Sequence, residues 1–304
     1  MAKISVVGSL NADVAVRTAR MPNDGETVVG DDIRVSPGGK GANQAIAAAR
    51  LGGDVRMFGC VGDDGYGELL KDTLRREGVH AEFLKTISSV PTGTAVVIVT
   101  EKDNRIITVR GANACATAEY IDSVKNGLMD SDLVVLQHEI PFETVEYVIR
   151  LCHGENIPVI LNPAPALPVR RELIDMVRYI IPNEHETAPV FQTEESLEGI
   201  LLRFPEKLIV TLGKNGAAYC TGNRVVNVPA IRAKRIDSTG AGDTFLGAFA
   251  KAAADGAGLR EAVVFAQYAS GLSIEKFGAQ AGMPTMREID ERRRKLENET
   301  AGDP

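Results

Sequence analysis

The sequence predicts an α/β fold, a mostly parallel sheet with helices on both of its faces. Two observations carry this. Short apolar runs at 4–7, 133–137 and 208–212 read as strands buried on two faces. Longer helical segments alternate with such strands along most of the chain, the pattern of crossover connections. At 304 residues and 44% hydrophobic, the chain can bury a large core without disulfide staples.

In order, the strand at 4–7 stops at Gly8. Residues 14–16 and 27–30 read as short β pieces around a turn at Pro22, Asn23, Asp24 and Gly25. Pro37, Gly38, Gly39, Lys40 and Gly41 lead into an alanine-rich helix at 42–51, closed by Gly52 and Gly53. A strand at 55–61 and a helix at 67–77 follow. Residues 94–100 and 105–110 form a hairpin across Glu101, Lys102, Asp103 and Asn104. Helices at 118–127 and 142–153 alternate with strands at 133–137 and 159–161. Strands at 179–181 and 208–212 come next, the first stopped by Pro182. Residues 216–221 and 224–228 read as an antiparallel pair, then 241–254 and 260–274 as long helices. The charged segment 286–297 is a last helix, and 298–304 a frayed tail. The β pieces at 14–37 and 94–110 break the alternation and suit a small separate sheet.

Composition narrows the partners. A net charge of -7 argues against a nucleic-acid or anionic-membrane surface. No apolar run approaches the ~18 residues of a membrane span. The N-terminus lacks the flanks of a signal peptide. Cys60, Cys115, Cys152 and Cys220 are scattered without metal-ligand spacing and read as reduced thiols, so a cytoplasmic location is expected.

The strongest chemical signal is Asp237-Ser238-Thr239-Gly240-Ala241-Gly242-Asp243 at the start of an apolar helix. Small residues leave backbone N–H groups at Ala241, Gly242 and Asp243 free to face an anion. A carboxylate beside such a nest can accept the proton of an attacking hydroxyl, the arrangement of phosphoryl transfer. The same residues also suit a plain helix start after a glycine turn. In Gly38-Gly39-Lys40-Gly41-Ala42-Asn43, Gly41 stands where a P-loop needs Ser or Thr, so that motif is rejected. These glycines instead let a polyol approach the backbone, with Asn43 offering an amide. Asn11 and Asp13 alternate after the first strand and point to one side, which suits a sugar diol or an Asx turn.

Asn183 and Glu186 follow a strand end, where α/β ligands gather. Glu186 suits Mg²⁺ held through water, while the run Asn183-Glu184-His185-Glu186 equally suits a plain helix start with acidic first-turn residues. Thr211, Leu212, Gly213, Lys214 and Gly216 end another strand, beside a nucleotide or as a hairpin turn. Glu139 is a candidate substrate contact, while His138 reads as structural. No GxGxxG fingerprint supports a dinucleotide fold.

Together, the Gly-Gly-Lys-Gly-Ala-Asn run, the Asn-x-x-Glu of Asn183 and Glu186, and the run from Asp237 to Asp243 resemble the ribokinase (PfkB-type) carbohydrate kinase family. The resemblance spans residues 3–290 in the family's order, and Asn11 with Asp13 is similar to its ribokinase members. It implies a single three-layer α/β/α domain over 1–304 with a β-sheet lid from about 12–38 and 92–112, the lid also clasping a homodimer. It implies transfer of the ATP γ-phosphate to the 5-hydroxyl of D-ribose, with Asp243 as base and an anion hole at Gly240, Ala241 and Gly242. Sugar contacts would be Asn11, Asp13, Gly39, Lys40, Gly41, Asn43, Glu139 and Asp243. ATP would lie on Asn183, Thr211, Leu212, Gly213, Lys214, Gly216, Gly242 and Gln267, with Mg²⁺ at Glu186. A K⁺ activator would sit at Asp237, Thr239, Ser273, Lys276, Gly278 and Gly282, mostly on backbone carbonyls. Gly282 stands where relatives often have serine, and Gln267 where other side chains occur.

Two further readings also fit the sequence. One keeps the chemistry and changes the acceptor to 2-deoxyribose, another pentose or a nucleoside such as adenosine. The other is a sugar-binding protein without catalysis on the same fold. Asp243 and its glycines, which a non-catalytic relative would usually lose, favour a working kinase.

Overall fold

The computed structural model describes residues 1–100 and 104–301. The strands are β1 (Lys3–Val7), β2 (Asn11–Arg17), β3 (Asp32–Gly38), β4 (Asp54–Gly62), β5 (Leu84–Ile87), β6 (Gly93–Val99) and β7 (Asn104–Val109). They continue with β8 (Leu133–Gln137), β9 (Val159–Asn162), β10 (Tyr179–Ile180), β11 (Ile209–Thr211), β12 (Ala217–Thr221) and β13 (Arg224–Val228). The helices are α1 (Lys40–Arg50), α2 (Gly65–Arg76), α3 (Ala118–Ser123), α4 (Lys125–Met129), α5 (Phe142–Gly154) and α6 (Arg171–Met176). The second half adds α7 (Glu184–Phe191), α8 (Leu197–Arg203), α9 (Ala241–Ala254), α10 (Leu259–Ser273), α11 (Ala279–Gly282) and α12 (Met286–Ala301).

A six-stranded parallel sheet has the order β10-β9-β8-β1-β4-β5. Parallel bridges from Ile180 to Leu208 and from Asn183 to Thr211 carry it on to the antiparallel β11-β12-β13. Strand residues alternate between two cores, as a period of two requires. Ile4, Val6, Leu133 and Val135 face a core shared with α1, α9 and α10. Val7, Val134 and Leu136 face the other, shared with α3, α5, α6 and α8. The three layers expected from the sequence are therefore present.

The separate β pieces pair as a four-stranded sheet ordered β3-β2-β6-β7. β2 runs antiparallel to β3 and parallel to β6, and β6 runs antiparallel to β7. Ile33, Ile106 and Ile107 are exposed on its outer strands. The expected strand at 27–30 is not one. The register from Arg17–Asp32 to Asn11–Gly38 takes 32–38 instead, which draws Pro37 and Gly38 into the sheet and leaves Val29 88% exposed.

Other differences are local. α1 begins at Lys40 because Gly39, at φ 89°, caps it. The helix expected over 118–127 breaks into α3 and α4 at Val124. β5, with its polar Lys85 and Thr86, offers no apolar run to read. α12 continues to Ala301, through part of the expected tail. Residues 302–304 and the hairpin residues Glu101, Lys102 and Asp103 lie outside the described residues.

Close approach fixes α1. A Cβ on Gly41 would lie 2.7 Å from the Gly8 carbonyl carbon and the Ser9 nitrogen, so the helix rests on the turn after β1. Elsewhere Tyr120, 2% exposed, ties β4 to the chain before β5. Its hydroxyl accepts from the Gly59 N–H and donates to the Phe83 carbonyl, both at 2.7 Å. Tyr120→Phe is expected to lower unfolding free energy by about 1–3 kcal/mol, because both backbone groups lose their partner in a dry site. Urea denaturation measures this, and an unchanged midpoint would mean that the two bonds add nothing net.

Candidate active site

The carboxyl ends of β1, β8, β9 and β10 meet the N-termini of α1 and α9, the usual ligand edge of a parallel sheet. Gly240 caps α9 at φ 75°, a left-handed conformation that glycine adopts without strain. The Ala241 N–H donates to the Ser238 carbonyl at 3.2 Å. Of the expected N–H nest, that group is thus engaged, which leaves Gly242 and Asp243 at the free end of the helix. A Cβ on Gly242 would meet nothing within 4 Å, so the space beside it is open.

Asp243 is 8% exposed, and each of its carboxylate oxygens accepts one amide N–H. Asn43 Nδ2 donates to Oδ2 at 3.0 Å, and Gln44 Nε2 donates to Oδ1 at 3.0 Å. Consecutive residues of α1 thus hold both sides of one carboxylate on α9. Behind them, Gln280 Nε2 donates to Asn43 Oδ1 at 2.9 Å. Gln44 Nε2 also reaches Asn162 Oδ1 at 3.2 Å, and Gln44 Oε1 accepts from Gln137 Nε2 at 2.8 Å.

Asp13 lies over Gly38, where a Cβ would come within 2.1 Å of its Oδ2. Burial, reinforced by the negative charges of Glu139 and Asp243, pushes its carboxyl up to about 7. Asn11 is buried, and its Oδ1 accepts from Asn113 Nδ2 at 2.8 Å. Asn113 is clamped in turn, accepting from the Leu10 N–H at 2.9 Å and donating to the Leu10 carbonyl at 3.0 Å. Asn11 therefore presents its Nδ2 as the free end. Glu139 has one oxygen spent on the chain, since Oε2 accepts from Ser9 Oγ and from the Lys40 N–H at 3.1 Å. The Lys40 ammonium is held above its ordinary range by the charge of Asp243, against the effect of burial, with Glu139 and Glu186 adding to the rise.

On the opposite side, Asn183 and Glu186 form a reciprocal capping box on α7. Asn183 Oδ1 accepts from the His185 and Glu186 N–H groups, and Glu186 Oε2 accepts from the Asn183 N–H at 2.9 Å. Gly213 and Lys214 are exposed after β11. Gly216, at φ 93°, meets the Val228 carbonyl so closely that a Cβ would lie 2.0 Å from it. Gln267 is buried on α10.

Asp237, Thr239 and Gly278 come together. Asp237 Oδ1 accepts from the Thr239 N–H and Oγ1, and Oδ2 accepts from the Gly278 N–H at 2.9 Å. Burial alone would raise the Asp237 carboxyl, but these bonds bring it below the usual range. The Ser273 carbonyl faces Gly282, where a Cβ would come within 2.4 Å, so a side chain at 282 has no room without a backbone shift. The Lys276 ammonium turns away to Glu288 at 2.6 Å. Among the described residues, no group of three or more His, Cys, Asp or Glu could hold a metal ion.

The profile of the pfkB family carbohydrate kinases matches residues 1–286. The chain belongs to this family. It is a sugar kinase. It is 44% identical to a ribokinase of Bacillus subtilis over 96% of this chain and 99% of that one. A ribokinase structure from Thermotoga maritima is 35% identical, with a TM-score of 0.88 over 97% of this chain and all of that one. A second, Arabidopsis thaliana ribokinase complexed with ribose and ATP, is 32% identical, with a TM-score of 0.88 over 95% of this chain and 98% of that one.

Sequence reading missed the residues that hold this kinase's site from behind: Gln44, Asn113, Asn162 and Gln280. Only Gln44 carried a local signal, as the residue after Asn43. The others come from distant segments and announce nothing by spacing.

The raised Asp13 carboxyl has a consequence for stability. It titrates at 3.8 when unfolded and at about 7 when folded, so between these values the folded protein keeps a proton that the unfolded chain has released. The stabilisation is full below 3.8 and is lost as pH rises through about 7. Thermal melts of wild type and Asp13→Asn across this range are expected to differ in slope, with the variant flatter. Parallel curves would place the raised group elsewhere.

Proposed function

We propose that this kinase transfers the γ-phosphoryl group of ATP to the 5-hydroxyl of D-ribose, giving ribose 5-phosphate and ADP. The observation that carries the reading is Asp243, held through both oxygens by α1 at the free N-terminal end of α9. Asp243 takes the proton of the attacking hydroxyl, and the N–H groups at Gly242 and Asp243, beside Gly240 and Ala241, stabilise charge on the transferring phosphoryl group. Loose phosphoryl transfer makes alignment of the hydroxyl as important as removal of its proton, and a carboxylate fixed at both oxygens meets that need.

The sugar lies between Asn11, Asp13, Gly39, Lys40, Gly41, Asn43 and Glu139. The Asn11 Nδ2 donates and Asp13 accepts, a pairing that matches neighbouring hydroxyls of a diol. ATP lies along Asn183, Thr211, Leu212, Gly213, Lys214, Gly216 and Gln267. The sheet β3-β2-β6-β7 is the lid, and its exposed Ile33, Ile106 and Ile107 form the clasp of a homodimer in the cytoplasm.

The donor sets suit two cations. Glu186 keeps one carboxylate oxygen outside its capping bond, which fits Mg²⁺ held through water and phosphate oxygens. Asp237 stays ionised, and Thr239 with the carbonyls of Ser273, Lys276, Gly278 and Gly282 offers the hard oxygens that K⁺ takes. Bound there, the two ions would neutralise phosphate charge and charge behind the anion hole.

The test is a coupled ADP assay with ribose, 2-deoxyribose, fructose and adenosine, with and without K⁺. Ribose is expected to give the highest kcat/KM, and no turnover of ribose would overturn the assignment. Asp243→Asn is expected to bind ribose and ATP while turnover falls by about 100-fold or more. Near-normal turnover in that variant would remove Asp243 from the role of base.

A further inference from the structure

Three carboxamides behind Asp243 form a chain whose direction is fixed. The chain begins at the Ile181 carbonyl, which can only accept. Asn162 Nδ2 donates to it at 2.9 Å, which turns Asn162 Oδ1 toward Gln44 as an acceptor. Gln44 must then present its Nε2, which donates to Asn162 Oδ1 at 3.2 Å and to Asp243 Oδ1 at 3.0 Å. That leaves Gln44 Oε1 facing the other way, where Gln137 Nε2 donates to it at 2.8 Å. Gln137 Oε1 ends the chain. It is buried without any hydrogen-bond partner.

The orphaned oxygen is informative. Leaving a buried polar atom unpaired is unfavourable, because the desolvation of that atom is not offset. Turning the Gln137 amide over would not relieve this, since its oxygen would then oppose Gln44 Oε1. The structure keeps the orphan and with it the direction of the chain. Gly8 makes the room, because a Cβ there would come within 1.9 Å of Gln137 Oε1. Gln44 and Gln137 are 1% and 0% exposed, so neither amide can turn freely into solvent.

We propose that Gln44 is a positioning residue for Asp243, and that Asn162 and Gln137 set the direction in which its amide points. This rests on the reading of Asp243 as base. Asn43 alone would hold Oδ2 and leave the carboxylate free to rotate about its Cβ–Cγ bond. The second donor on Oδ1 fixes the carboxylate plane, so the lone pair that receives the hydroxyl proton has one orientation.

Two variants test this beside wild type and Asp243→Asn, with kcat, KM for ATP and for the sugar turned over, and melting temperature as readouts. Gln44→Met keeps the length and loses the donor. Its kcat is expected to fall about 10- to 100-fold, the worth of a hydrogen bond to a charged group, with KM for ATP within threefold of wild type. When ionised, the carboxylate of Gln137→Glu puts an acceptor against Gln44 Oε1 and favours the reversed amide. With kcat read at a pH alkaline enough to ionise it, its kcat is expected to fall further than that of Gln137→Met, although residue 137 does not touch Asp243. A lowered melting temperature with kcat intact in Gln44→Met would reduce these amides to a structural network and overturn the proposal. Equal kcat in the two Gln137 variants would overturn the directional part. Should Gln137→Glu fail to fold, Gln44→Met decides alone. If Asp243→Asn turns over normally, the reading of the base fails instead, and the two failures are distinct.

Discussion

Helices α1 and α9 approach each other so closely at Gly247 that no side chain fits between them. A Cβ there would lie 2.5 Å from the Gln44 carbonyl oxygen and 2.6 Å from the Ala47 Cβ. The contact lies one turn beyond Asp243 on α9 and at the same level as Gln44 on α1. It brings the two helix N-termini to one point above the sheet, and the contact of Asn43 and Gln44 with Asp243 follows from it. Apolar packing on the same face, with Phe245, Phe249, Ile46 and Ala48 in one core, supplies the force that holds the helices together.

Polar groups occupy positions that a core would normally fill with apolar ones. Gln137 and Asn162 end β8 and β9, and Gln44 lies within α1, all three buried among hydrophobic neighbours. Burying carboxamides is tolerable only when their hydrogen bonds are made, and nearly all are made here. The two exceptions among the described residues are Gln137 Oε1 and His138 Nε2, neighbours at the end of β8. Burial also keeps the His138 ring neutral, at about 4.

The layered fold was legible because buried parallel strands read as short apolar runs and the helices have ample length. The run 133–137 coincides with β8, and 241–254 with α9. Pairing partners decided what the sequence could not. Val28 and Val29 have strand propensity, yet β2 pairs with 32–38, and no local pattern distinguishes the two segments. At the site, the sequence displayed glycines, Lys40, Asn43 and Asp243 in recognisable runs. It did not display the clamp of Asn113 on Asn11, which depends on segments joined only by folding, nor the local turn in which the Ala241 N–H is taken by the Ser238 carbonyl.

The seat of α1 on the turn after β1 has a bearing on how this end of the molecule can evolve. Gly41 rests against Gly8 and Ser9, and Gly247 rests against the same helix from the other side. The helix has no freedom to slide or tilt, so drift at Lys40 or Asn43 alters which group is presented but not the point from which it projects. Geometry can drift more readily on the β2 side, where Asn11 is steadied by one side chain, Asn113, and by the bare backbone of Gly93. A redesign of the cleft would gain shape from the strand and chemistry from the helix.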